Sequence, residues 1–107
     1  NLIEQVIINL LSNSGHALEH TANPEISLDV DVCDDSIIIN ISDNGPGIPN
    51  EIIGKIWQPF FTTKPKETGT GLGLHICKEI IESLNGTISY EVTDSPGAHF
   101  RIFIPKR

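Results

Sequence analysis

The spacing of apolar residues changes period repeatedly along this chain, and that succession limits the fold more than any single motif does. From Leu2 to about Ala22, the residues Leu2, Ile3, Val6, Ile7, Leu10, Leu11 and Leu18 recur at helical intervals with no proline before Pro24. The stretch reads as a helix packed on one face. Ile26, Leu28, Val30 and Val32 then alternate with Ser27, Asp29 and Asp31, and a second β-branched run covers Ile37–Ile41. Together they predict a hairpin with one buried face. Two glycines and two prolines in Asp43–Pro49 end that run in a tight turn, and Asn50 is placed to cap a short helix through Ile56. Helical spacing returns at Leu72, Ile76, Ile80, Ile81 and Leu84, where Asn85-Gly86 supplies a left-handed stop. Ile88–Val92 and Phe100–Ile104 close the chain as strands around Ser95-Pro96-Gly97. The order α, ββ, loop, α, ββ in 107 residues predicts one α+β domain, a two-layer α/β sandwich with helices covering one face of a mixed sheet.

Charge narrows the function. The net charge of −7 is split into −9 over residues 1–54, which hold no Lys or Arg, and +2 over residues 55–107. A chain without a basic stripe is poorly suited to gripping nucleic acid or an anionic membrane through its general field. No apolar run reaches the roughly 20 residues a membrane span needs. Cys33 and Cys77 form neither a CxxC pair nor a dense disulfide framework, which points to a reducing, cytoplasmic setting and away from a cysteine-built zinc site. Asn1 is not an initiator methionine and no basic leader follows it, so the chain reads as a piece of a longer protein.

Four segments have residues suited to chemistry. Asn9 and Asn13 stand one turn apart at the edge of the apolar arc of the first helix. Amides in that position either bond to nearby backbone or offer oxygen to a hard cation such as magnesium. Asp43-Asn44-Gly45-Pro46-Gly47 follows a strand; it is either an ordinary turn or a place where an acid accepts a hydrogen bond from an exocyclic amine while glycine backbone approaches the ligand. Gln58–Gly71 lacks periodicity and predicts a long mobile loop. Phe60 and Phe61 at its entry either pin the loop to the core or meet a partner, and Lys64 and Lys66 are its only bases. Gly69-Thr70-Gly71-Leu72-Gly73-Leu74 opens the second helix as a hinge or as a phosphate cradle at a helix start. It is neither a Rossmann glycine turn nor a P-loop.

In this order, the segments resemble the catalytic and ATP-binding domain of two-component sensor histidine kinases, within the Bergerat-fold ATPase superfamily that also holds gyrase and mismatch-repair ATPases. The N-box-like segment is Asn9–Asn13 and the G1-like segment is Asp43–Pro49. Trp57–Lys64 is F-box-like, Gly69–Leu74 is G2-like, and Gly97–Pro105 looks like the family's last hairpin. The resemblance covers essentially the whole chain, residues 1–107. It implies a Bergerat fold with a long ATP lid over about Phe61–Thr70, an absent dimerisation and phosphoacceptor domain, and a first strand lying outside the chain.

The resemblance also implies roles. Asn13 matches the magnesium ligand, with Asn9 near metal and phosphates, and these two are the catalytic candidates. Asp43 matches the residue that binds the adenine amino group, and Gly45, Gly47 and Ile48 shape its pocket. Phe61, Lys64, Gly69, Thr70, Gly71, Leu72, Gly73 and Leu74 complete the ATP-binding set. Hydrolysing cousins carry a general-base glutamate in the place of Asn9, and an amide cannot take a proton from water, which favours phosphoryl transfer. None of His16, His20, His75 and His99 sits in the family's phosphoacceptor pattern. The implied activity is transfer of the γ-phosphate of Mg-ATP to a histidine on a separate helical domain and thence to a response regulator, by a cytoplasmic fragment that is itself a monomer. The rival readings are an anti-sigma-factor-type serine kinase and a degenerate regulatory module. Ala98 stands where relatives frequently carry a threonine that supports the aspartate through water, and Ala17 stands near an aromatic position.

Overall fold

A computed structural model of the chain describes residues 1–61 and 73–106. Helix α1 spans Leu2–Ala17. Its start is a capping box: the Asn1 side chain accepts from the Glu4 N–H at 2.9 Å, and the Glu4 carboxylate accepts from the Asn1 backbone nitrogen. Val6 and Leu10 carry the helix into the core. The helix ends at Ala17, short of the expected Ala22, because Leu18 turns its buried side chain under Gly45. Asn23 then takes a left-handed backbone, with φ of 51°.

Strands β1 (Ile26–Val32) and β2 (Ser36–Asp43) form the expected hairpin. Helix α2 spans Gly73–Ser83, and β3 (Thr87–Tyr90) and β4 (His99–Pro105) follow. Asn85 has the positive φ, 62°, expected of the residue stopping α2. The sheet order is β1-β2-β4-β3, and every neighbouring pair is antiparallel. The expectation of a mixed sheet is corrected for these four strands. Passing over α2 leaves β3 pointing the same way as β2, but β4 folds back between them, so no parallel neighbours meet.

Both helices pack on each other and on one face of the sheet, giving the two-layer α+β sandwich. Val6, Leu10, Cys77 and Ile81 from the helices meet Ile39, Ile41, Phe100 and Ile102 from the strands. Each large side chain fully buried there stabilises the fold by about 1.5–3 kcal/mol. Phe100 stands at one end of this layer, with Tyr90 and Trp57 packed edge-on against it at 5.2 and 5.9 Å between ring centroids.

The hairpin departs from expectation in its edge strand. Ile26, Leu28, Val30 and Val32 lie on the core side of the sheet, opposite Asp43, Ile41, Ile39 and Ile37, yet they remain 42–67% exposed. Alternation assigns these residues to a face correctly, but β1 is the outermost strand and its helix-side surface is left uncovered among the described residues. A second correction concerns Asn50, which begins a 3-10 helix, Asn50–Lys55, without making a side-chain cap. The position before it is Pro49, whose fixed φ already suits a helix entry.

Candidate functional site

Strand β2 turns Ile39, Ile41 and Asp43 inward in succession, so its period of two delivers a carboxylate into the core layer at the strand end. Asp43 is only 6% exposed. Its Oδ1 accepts from the N–H groups of Gly45 at 2.9 Å and of Ala98 at 3.1 Å. Its Oδ2 is buried and has no hydrogen-bond partner among the described residues. An unmatched buried acceptor costs about 1–3 kcal/mol, more when charged. The carboxylate is therefore held firmly through one oxygen while the other lacks a donor.

The backbone around it is set by close approaches. Gly97 has φ of +98°, and a Cβ there would overlap the Asp43 carbonyl. Gly47 has φ of +74°, and its Cβ would lie 3.0 Å from the Gly97 oxygen. Both positions require glycine. A Cβ on Gly45 would lie 3.2 Å from Asp43 Oδ1 and 3.2 Å from Leu18 Cδ2, so the end of α1 rests directly on the turn. The Ile48 N–H donates to the Tyr90 hydroxyl at 3.0 Å, tying the far end of the turn to β3. A cleft of about 190 Å³ shares Gly47, Ile48, Tyr90 and Gly97 with this arrangement, but Asp43 and α1 do not line it.

Asn9 and Asn13 are half-buried on α1, as their place on the wheel predicts. Asn9 reaches the Cys77 thiol across the α1–α2 contact. Burial pushes that thiol above its ordinary value of 9.0, and hydrogen bonds from the Asn9 side chain and the backbone partly offset the shift. Cys77 also donates weakly to the Val6 carbonyl at 3.8 Å. Asn13 is engaged in an interaction of its own. Its amide oxygen suits magnesium, which takes oxygen ligands and keeps several waters. Among the described residues, no group of three or more His, Cys, Asp or Glu is arranged to hold a metal.

Of the aromatic pair, Phe61 packs against the core while Phe60 is 73% exposed with φ of 67°. Pinning thus holds for Phe61 alone. Gly73 is the first residue of α2 and Leu74 packs on the core. Next to them, His75 Nε2 pairs with Glu79 Oε1 at 2.6 Å and its Nδ1 lies 3.3 Å from the Trp57 carbonyl oxygen. The lid beyond Phe61 and the candidates Lys64, Gly69, Thr70, Gly71 and Leu72 fall outside the described residues.

Three contributors were not singled out from sequence as part of the site: the Ala98 N–H, the Tyr90 hydroxyl and the Asn44 side chain. A backbone donor and a tyrosine 42 positions from its partner leave no local pattern to read. Asn44 lies within the G1-like segment, where the sequence gives it no role of its own.

The described site thus joins an acid at the end of an inner strand, glycines beside it and an asparagine-bearing helix laid across its turn. The family model for histidine kinase-, DNA gyrase B- and HSP90-like ATPases matches residues 1–107, and the chain belongs to that family. Its similar relatives are sensor kinases. It is 40% identical over 104 residues to the alginate biosynthesis sensor protein KinB of Pseudomonas aeruginosa, covering 96% of this chain and 17% of that protein. The sensor protein FixL of Bradyrhizobium diazoefficiens is 38% identical over 104 residues, covering 96% and 20%. Sporulation kinase A of Bacillus subtilis is 36% identical over 107 residues, covering 100% and 17%. Among solved structures, the catalytic domain of histidine kinase ThkA superposes with a TM-score of 0.84 at 39% identity, covering 98% of this chain and 67% of that one. The chain thus spans a fifth or less of these curated relatives' length. No helix among the described residues is long and apolar enough to cross a membrane.

Proposed function

We propose that this domain holds Mg-ATP and presents its γ-phosphate to a histidine on a separate helical domain, as the donor half of a two-component histidine kinase. The observation that carries this reading is Asp43. One oxygen is fixed by two backbone N–H groups, and the other is a buried acceptor that an adenine amino group would satisfy. Gly45, Gly47 and Ile48 shape the surroundings of that acceptor. Asn13 would offer its amide oxygen to magnesium, and Asn9 would lie near the phosphates. Phe61, Lys64, Gly69, Thr70, Gly71, Leu72, Gly73 and Leu74 would complete the nucleotide's enclosure. The chemistry that magnesium supplies when bound is neutralisation of charge on the phosphates.

Asn9 offers no base for activating water, which supports transfer to a protein acceptor over hydrolysis. Positioning dominates such a reaction, since phosphoryl transfer needs little covalent help. In this reading the phosphohistidine later supplies an aspartate on a response regulator, and the domain works in the cytoplasm as a monomeric unit of its parent, without nucleic-acid or direct membrane contact. Incubating the whole kinase with γ-labelled ATP tests the reading. Label that is lost in acid and kept in alkali is expected; acid-stable label on serine would replace it with the serine-kinase reading.

A further inference from the structure

Cys77 stands on the line Leu74, Cys77 and Ile81 by which α2 enters the core, and it is fully buried. An apolar side chain would suffice for packing there, yet the thiol is bonded twice to α1. Its Sγ–H donates to the Val6 carbonyl at 3.8 Å, and the side chain of Asn9, three residues further along α1, bonds to the same sulfur. The Asn9 bond draws the thiol toward thiolate, which is the effect of a donated N–H, so Asn9 Nδ2 is the donor. A thiol proton directed at Val6 agrees with this, since it leaves the sulfur to Asn9 as an acceptor. The amide is thereby oriented. Its nitrogen turns to α2, and its oxygen is the end left for the other side, on the helix face where Asn13 follows one turn later.

We propose that Cys77 is a positioning residue for the nucleotide site: its thiol holds Asn9 by the nitrogen, so that Asn9 presents its amide oxygen to the magnesium end of the nucleotide. This inference rests on the nucleotide reading above. Magnesium bonds to oxygen and its coordinated waters donate to oxygen, so an N–H₂ group offers them nothing. The two ends of an amide have nearly the same shape, and packing alone fixes their order weakly. A hydrogen-bond partner on one side decides it. Without the thiol, the amide of Asn9 turns over and offers the wrong end for part of the time.

Two measurements test this. In the nucleotide-free chain, NMR of the Asn9 side-chain N–H₂ group should show slowed exchange with water in wild type, and the slowing should vanish in Cys77→Ala and Cys77→Val. In calorimetry, both variants should bind Mg-ADP about fivefold more weakly than wild type, and ADP without magnesium nearly as wild type does. Alanine leaves a gap and valine adds bulk, so a loss that the two share is not one of packing. Ile81→Val, a packing control one turn along α2, should keep the wild-type affinity. In an Asn9→Ala background, Cys77→Ala should cause no further loss, because the amide it orients is gone. Wild-type Mg-ADP affinity in both Cys77 variants overturns the proposal, and so does a full loss from Cys77→Ala in the Asn9→Ala background. A folded wild type that binds no ADP overturns the nucleotide reading and this inference with it, so the two failures are distinguishable.

Discussion

Gly97 lies against Asp43 so closely that a methyl group on its Cα would occupy the space of the Asp43 carbonyl oxygen. The same two residues flank the hydrogen bonds between the Asp43 N–H and the Ala98 carbonyl at 3.0 Å and between the Ala98 N–H and Asp43 Oδ1 at 3.1 Å. The β3–β4 connection therefore acts as a wall for the carboxylate. Gly97→Ala combines a disfavoured positive φ with backbone overlap, and should destabilise the domain by about 2–5 kcal/mol. Urea unfolding of the variant beside wild type checks this, and a midpoint shift within error would show that the wall yields.

Asp43→Asn separates fold from ligand. The amide oxygen can still accept from Gly45 and Ala98, so the turn should survive with a stability change of about 1 kcal/mol or less. The second atom becomes an N–H₂ group that faces an incoming amine with a donor instead of an acceptor. Adenine nucleotide affinity should fall about 10- to 100-fold in calorimetry, while thermal melting stays near wild type.

That carboxylate was legible in the sequence for a physical reason. The β-branched alternation from Ile37 fixes which side of the sheet each residue takes, so Asp43 follows Ile39 and Ile41 inward. Helix periodicity likewise places Val6, Leu10 and the Asn9–Asn13 pair. Periodicity fails where burial depends on which strand lies outermost. β1 alternates as regularly as any strand, but its apolar side is left exposed among the described residues. It also carries no information on contacts between distant segments, such as Tyr90 to Ile48 or Asn44 to Asn23. Helical spacing carries the first helix on to about Ala22 because Leu18 fits it, whereas the helix ends at Ala17 and Leu18 packs beneath Gly45.

The exposed side of β1 makes a quantitative forecast. Val30 and Ile39 are paired across the hairpin on one face, at 52% and 3% exposure. Ile39→Ala should cost about 2–5 kcal/mol and Val30→Ala about 0.5 kcal/mol or less. Equal losses in chemical unfolding would mean that β1 is covered in solution.

The two cysteines should differ in reactivity and in their effect at alkaline pH. Cys33 is exposed and Cys77 is fully buried. Native chain should react with iodoacetamide at Cys33 only, and at both thiols once unfolded. Because burial raises the folded Cys77 value above its ordinary 9.0, its contribution to stability is complete below that pH and is lost as pH rises through the folded value. Wild type should therefore lose more stability than Cys77→Ala between about pH 8 and about pH 10. Parallel losses in urea melts would contradict the assignment.

The proposed function rests on binding of a magnesium nucleotide at Asp43 and Asn13. Its most direct test is calorimetric titration of the folded chain with ADP, with and without magnesium, with the fluorescence of half-buried Trp57 as a parallel signal. Saturable binding is expected, tightened by magnesium in wild type but not in Asn13→Ala. A chain that circular dichroism shows to be folded, yet that takes up no ADP at millimolar concentration with magnesium present, would contradict it.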